Sequence, residues 1–160
     1  MSRSLSVLVV TVSDRASRGE YPDESGPAVE KVLLRAHSDW RVTRRIVADE
    51  GDELTAALRE GLAYDVVLTT GGTGIGPRDI TPDVTAAHCE RALPGVAEML
   101  RAESRVETAM AVLSRAFAGT RGSTVYVNLP GSVKGAGSCT AMLVPILGHA
   151  VAMLAGAGHE

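Results

Sequence analysis

Aromatic residues are nearly absent from this chain: one Trp, one Phe and three Tyr in 160 residues, 3% in all. So few flat rings leave little on which nucleobases could stack. Basic residues are not in excess, at 16 against 19 acidic for a net charge of −3, so no broad positive field exists to collect nucleic acid. Cysteine is scarce. Cys89 and Cys139 lie far apart with no CxxC, which argues against a zinc cluster and against a disulfide framework. His37, His88, His149 and His159 show no paired ligand spacing, so a bound metal would have to rest on carboxylates. No uninterrupted apolar run approaches the roughly 18 residues of a membrane span. The stretch Met1–Val12 carries a single Arg and no signal-type cleavage site, and Asp14 follows where a transit peptide would be poor in acids. These absences lead to the expectation of a cytoplasmic protein with a small ligand and neither nucleic-acid nor membrane partners.

What is present fits one domain spanning 1–160, with 45% hydrophobic and 22% charged residues, too apolar for disorder. Leu5–Val12 is a short, Val-rich run of the kind buried on both faces of a parallel sheet. A polar loop, Ser13 to Ser25, leads to a predicted helix with Ser25 as cap, Pro27 in the first turn, and Val29, Val32, Leu33 and Ala36 as its apolar stripe. Trp40–Val47 reads as a second strand, and Asp52 as the cap of a helix through Ala63 with Leu54, Ala57, Leu58 and Gly61/Leu62 inward. Tyr64–Thr70 is the third strand. Thr81-Pro82-Asp83 opens a helix with Thr as cap and Pro at its first position, and Pro94–Arg105 forms another. Ser123–Leu129 is a strand ended by Pro130-Gly131, and Ser132–Ala155 is a helix that Pro145 should kink or divide.

Strands alternating with helices predict an α/β fold: a single three-layer α/β/α domain with a mainly parallel sheet. Ligands in such folds sit beyond the carboxyl ends of the strands. That rule nominates three loops, Ser13–Ser25, Gly71–Thr81 and Asn128–Lys134, which are also rich in Gly, Pro and Ser. Thr69-Thr70-Gly71-Gly72-Thr73-Gly74 can turn successive N–H groups onto an anion. It is no P-loop, because no Gly-Lys-Ser/Thr follows, and no dinucleotide fingerprint, because Pro77 stands where a third Gly belongs. A tight strand-to-helix turn explains it as well as a phosphate site does. Asn128-Leu129-Pro130-Gly131-Ser132-Val133-Lys134 offers an amide, a hydroxyl and an ammonium at a helix N-terminus, yet it also reads as a plain loop with Ser132 capping and Lys134 in solvent.

Four segments taken together resemble the molybdopterin adenylyltransferase family, the MogA/MoaB-like group related to the G domain of gephyrin. They are Thr11-Val12-Ser13-Asp14-Arg15-Ala16-Ser17, Thr70-Gly71-Gly72-Thr73-Gly74 with Pro77-Arg78-Asp79-Ile80-Thr81-Pro82-Asp83, Leu113-Ser114-Arg115, and Asn128-Leu129-Pro130-Gly131-Ser132. The resemblance runs through nearly the whole chain, and Val133 departs from it by standing where the family often has Pro. It implies Mg²⁺-ATP-dependent adenylylation of molybdopterin, with ATP as co-substrate, pyrophosphate released, and a molybdate-insertion protein acting downstream. The alternative it leaves is a non-catalytic molybdopterin-binding or scaffold protein of the same fold.

By the same resemblance Asp49 and Asp79 are catalytic and hold the metal. Ser13, Asp14, Gly71, Gly72, Thr73, Gly74, Ser114, Asn128, Pro130, Gly131 and Ser132 line the substrate pocket. Read without it, Asp49 is a solvated carboxylate in an acidic run, Asp79 an ion-pair partner of Arg78, Ser114 a local cap and Arg115 a surface charge. Cys89 and Cys139 read as buried structural thiols. His88 and His149 read as packed or exposed helix positions. The resemblance also implies a homotrimer, and Met99, Val106, Met110, Ala111 and Val112 exceed what one core needs.

Overall fold

Residues 3–157 are described by the structure, a computed structural model, and His159 lies outside them. In chain order the elements are β1 (Ser6–Val12), α1 (Asp14–Ser17), α2 (Ser25–Ala36), β2 (Arg41–Val47), α3 (Gly51–Glu60), β3 (Val66–Thr70), α4 (Thr81–His88), β4 (Arg91–Ala92), α5 (Pro94–Ser104), β5 (Ala118–Arg121), β6 (Thr124–Leu129) and α6 (Val133–Leu154). Six strands form one sheet in the order β2-β1-β3-β6-β5-β4. The first four of these run parallel, while β5 and β4 join antiparallel at one edge.

Alternation along β1 explains the layers. Val7 and Val9 face a core shared with Val29 and Leu33 of α2, Leu100 of α5, and Leu143, Leu147 and Val151 of α6. Leu8, Val10 and Val12 point the other way, against Leu54, Ala57 and Leu58 of α3. Helices therefore cover both faces, as a buried parallel sheet requires. The Val-rich run of β1 fits that burial on both faces.

Several local expectations change. The polar loop after β1 contains α1, whose first turn is capped by Ser13 through Ala16 N at 3.2 Å. Ser25 lies inside α2 and does not cap it; Asp23 Oδ1 instead accepts from Gly26 N at 3.0 Å. Asp52 sits in the first turn of α3 rather than before it, where its charge complements the helix dipole. Thr81 is likewise the first residue of α4, and its hydroxyl caps nothing. Ala36 and Leu62 are exposed. The helix containing Pro145 is undivided, running as one element from Val133 to Leu154. By length and mean hydropathy (22 residues, 1.6) α6 would also cross a membrane. Its buried positions Ala136, Cys139, Thr140, Leu143, Leu147 and Val151 recur every three or four residues and face α2 and the sheet, the pattern of a covering helix.

Candidate active site

The strand order reverses between β1 and β3: the chain leaves β1 for β2 on one side and returns to β3 on the other. Register aligns the ends, with Thr11 opposite Thr70 and Thr70 opposite Leu129, so the loops after β1, β3 and β6 emerge together. A crevice at such a switch point is where α/β folds place ligands. All three nominated loops open there.

At the β1 side, Asp14 and Asp49 are tied backbone to side chain in both directions. Arg78 closes over them. Its Nε and Nη2 donate to the two Asp14 carboxylate oxygens at 2.8 and 3.1 Å, and Nη2 also reaches the Asp49 carbonyl at 3.1 Å and Glu50 at 3.0 Å. The Arg78 fork holds the Asp14 carboxyl below its ordinary range. Asp49 shifts the opposite way: burial raises its carboxyl pKa, partly offset by the Asp14 amide, and the negative charges of Asp14 and Asp79 add to the rise. Arg78 therefore pairs with Asp14 and Glu50, not with its neighbour Asp79.

The glycine loop is held from its other end. Gly71 (φ 102) and Gly72 (φ 67) adopt left-handed backbone, and a Cβ on Gly71 would run into the Val12 carbonyl. Asp79 turns back on its own loop, accepting from Gly76 N at 2.9 Å. Arg115, a surface charge as read from its sequence position alone, is a clasp. Its amide donates to Thr73 O at 2.8 Å and its guanidinium to Gly74 O at 2.9 Å, to the Asp79 carbonyl, and to both Asp83 oxygens at 3.0 and 2.9 Å. The Asp83 carboxyl is held low by that fork. Neither arginine's partners follow from spacing, because they lie 28 to 64 positions away.

The sequence-predicted residues fall into three neighbouring groups. Ser13, Gly71, Gly131 and Ser132 line a cavity of about 380 Å³ on which the N-termini of α2 and α6 converge. Ser114, Asn128 and Pro130, again with Ser132, line a narrower, mostly apolar cavity of about 90 Å³ beside α5. Asp14, Asp49, Gly72, Thr73, Gly74 and Asp79 line neither and form the loop-and-carboxylate edge described above. Ser13, Ser114 and Ser132 each accept a backbone N–H, from Ala16, Ala116 and Gly135. Each hydroxyl keeps its own proton to donate, so capping and anion binding are compatible. Asn128 is different. It is fully buried, its Oδ1 accepts from Phe117 N at 3.1 Å, and its Nδ2 donates to Thr69 and Thr85 at 2.8 and 3.0 Å, so its amide braces the pocket floor. Lys134 is exposed and stands 3.9 Å from Glu107.

Cys139 is buried and Cys89 partly so, and burial pushes the Cys89 thiol up to about 11, so it is protonated and unreactive at neutral pH. Among the described residues no three His, Cys, Asp or Glu side chains converge to hold a metal. The carboxylates do offer a partial set: Asp49 and Asp79 each spend one oxygen on a backbone N–H. A magnesium ion, which keeps several waters and takes one or two carboxylates plus phosphate oxygens, suits that donor chemistry.

A mainly parallel sheet with a glycine loop, the α6 N-terminus and paired carboxylates at its switch point defines an α/β domain of the kind that receives a small ligand there. Residues 8–149 match the family model described as "probable molybdopterin binding domain", and the chain belongs to that family. It is 37% identical over 158 residues to the molybdopterin adenylyltransferase of Helicobacter pylori, covering 96% of this chain and 90% of that one. It is also 37% identical to the molybdopterin adenylyltransferase of Escherichia coli K12 over 135 residues, 82% of this chain and 69% of the other. Among solved structures, the molybdopterin biosynthesis enzyme MoaB from Thermus thermophilus superposes with a TM-score of 0.86 at 40% identity, covering 95% of this chain and 97% of that one.

Proposed function

We propose that this chain adenylylates molybdopterin: the terminal phosphate of the pterin attacks the α-phosphorus of ATP, and pyrophosphate leaves. The observation that carries the reading is the convergence of Asp49, Asp79 and the Gly71–Gly74 loop beside a cavity at the α6 N-terminus. The new bond joins a pterin phosphate oxygen to the α-phosphorus, and the bond from that phosphorus to the bridging oxygen breaks. A phosphate monoester with a second pKa of about 6 is largely dianionic at pH 7, so the nucleophile needs no general base. Holding two anions in line, and dispersing charge as pyrophosphate departs, is the work left to the protein.

Each group of residues takes part of that work. The α6 N-terminus and the free protons of Ser13 and Ser132 receive an anionic group in the larger cavity, whereas the α2 end is already capped by Asp23. Ser114 and Pro130 bound the apolar cavity next to it, with Asn128 keeping their strand in place. Gly71, Gly72, Thr73 and Gly74 present backbone close to the reacting phosphates. Asp49 and Asp79 would hold Mg²⁺, which supplies charge neutralisation to the phosphates when bound. Burial of Asp49 next to Asp14 and Asp79 leaves a carboxylate that gains from a cation beside it.

The reading extends to a cytoplasmic homotrimer that passes its product to a molybdate-insertion protein. Val106, Met110 and Val112 are exposed in the protomer, which supports a covered face in an assembly, whereas Met99 packs on the protomer's own core. The direct experiment incubates the protein with molybdopterin, Mg²⁺ and α-labelled ATP. Labelled AMP joins the pterin if the reading is right. Pterin bound with no AMP transfer, under conditions where the Helicobacter pylori enzyme works, would make the chain a binding protein instead.

A further inference from the structure

Thr81 is completely buried at the first turn of α4, and its hydroxyl has no hydrogen-bond partner. Nothing about helix formation explains this, because the residue neither caps α4 nor bonds back along it. Its amide does have a role, donating to Gly72 O at 3.1 Å and so docking the helix onto the glycine loop. The hydroxyl points into the space left by the missing side chain of Gly72. A Cβ there would overlap Thr81 Oγ and would also stand 3.1 Å from Asp49 Oδ1. Two oxygens of opposite hydrogen-bonding need, a hydroxyl with a spare proton and a carboxylate oxygen, thus border one small gap without bonding to each other. The other Asp49 oxygen, Oδ2, is already fixed by the Asp14 amide at 3.1 Å.

We infer that Thr81 is a positioning residue for Asp49: once an anionic substrate engages the glycine loop, the Thr81 hydroxyl donates to Asp49 Oδ1 across the gap at Gly72. With both oxygens held, the carboxylate keeps one orientation, and Oδ1 retains a second lone pair. The unpaired hydroxyl of the resting protein is then a group held ready for the loaded state, of the kind that active sites retain at a cost in stability. Gly72 is required for the same reason, since any side chain would fill the gap. This inference rests on the reading of Asp49 given above.

Thr81→Val tests it by replacing the hydroxyl with a methyl of nearly the same shape. The variant unfolds at the same or a higher denaturant concentration than the native protein, because a buried unpaired donor has been removed. Its AMP transfer nonetheless falls by about 10-fold or more, with pterin binding unchanged. Thr81→Ser, which restores the hydroxyl, recovers most of that loss. In an Asp49→Asn background, Thr81→Val adds no further loss, because the group it positions is already disabled. Native transfer in Thr81→Val while Asp49→Asn is impaired would overturn the role of Thr81 alone. A loss of transfer that merely tracks lost stability, or that adds fully to Asp49→Asn, would overturn it as well. Native transfer in Asp49→Asn would instead remove the reading of the site on which the inference depends.

Discussion

The amide of Asp14 donates to Asp49 Oδ2 at 3.1 Å, and the amide of Asp49 donates back to Asp14 Oδ1 at 2.9 Å. This reciprocal pair locks the loop after β1 to the end of β2, although the residues stand 35 positions apart. Its electrostatic consequence is asymmetric. Arg78 neutralises Asp14, while Asp49 stays the less solvated and more weakly acidic carboxylate of the two. A loop built this way presents Asp49 in a fixed place with its charge only partly compensated.

Gly71 is the position where backbone shape alone decides. Gly71→Ala would put a methyl against the Val12 carbonyl at a φ of 102, outside the range an L-residue tolerates well. The expected loss is about 2 kcal/mol of stability or more, read as a lower midpoint in urea unfolding. An unchanged midpoint would mean that the loop relaxes freely there.

Asn128 separates bracing from binding. Asn128→Ala leaves the Phe117 amide and two buried threonine hydroxyls short of partners. The expected cost is about 2–3 kcal/mol of stability. Denaturant titration of the variant checks this, and a stable variant that simply binds pterin less well would place the amide on the ligand instead.

His88 carries the clearest pH signature. It is buried, its Nε2 has no hydrogen-bond partner, and its ring stands at 72° to the Tyr126 ring with centroids 4.8 Å apart. Burial lowers its pKa from 6.5, with Arg121 and Arg59 adding to the shift and Glu90 opposing it. The folded protein thus holds the neutral ring, and stability is full above the unfolded value. As pH falls below 6.5 the unfolded chain takes up a proton that the folded one resists, and stability drops. The loss of Tm between pH 7 and pH 5 should be smaller in His88→Phe than in the native protein. An identical loss in both would assign it to other groups.

What could be read from sequence was set by how local its cause is. The Val-rich run of β1 and the glycine and proline of the three loops at the switch point are legible because those signals depend on neighbouring residues. The antiparallel edge leaves no such signal: β4 has two residues, and β5 is Ala-Gly-Thr-Arg, too short and too small for any period. Arg78 and Arg115 were visible as residues but not as clasps, since Asp14 and Glu50, or Thr73, Gly74 and Asp83, reach them only through the fold. Asp23 took the capping role expected of Ser25 because the chain before α2 turns its carboxylate onto Gly26 and Thr11. Asn128 stands in a segment that sequence marks as part of the pocket, but its bond to Thr85 depends on α4 being in place.

In the proposed reaction the charges of Asp49 and Asp79, rather than their shapes, support adenylyl transfer. Asparagine preserves the acceptor that each offers, to the Asp14 amide and to the Gly76 amide respectively, so both variants should fold. The decisive measurement is the single-turnover rate of AMP transfer in native, Asp49→Asn and Asp79→Asn protein, alongside molybdopterin affinity. Rates lower by about 100-fold are expected in both variants, near 3 kcal/mol of transition-state stabilisation, with pterin affinity retained. Native rates in both variants would contradict this role of the charges.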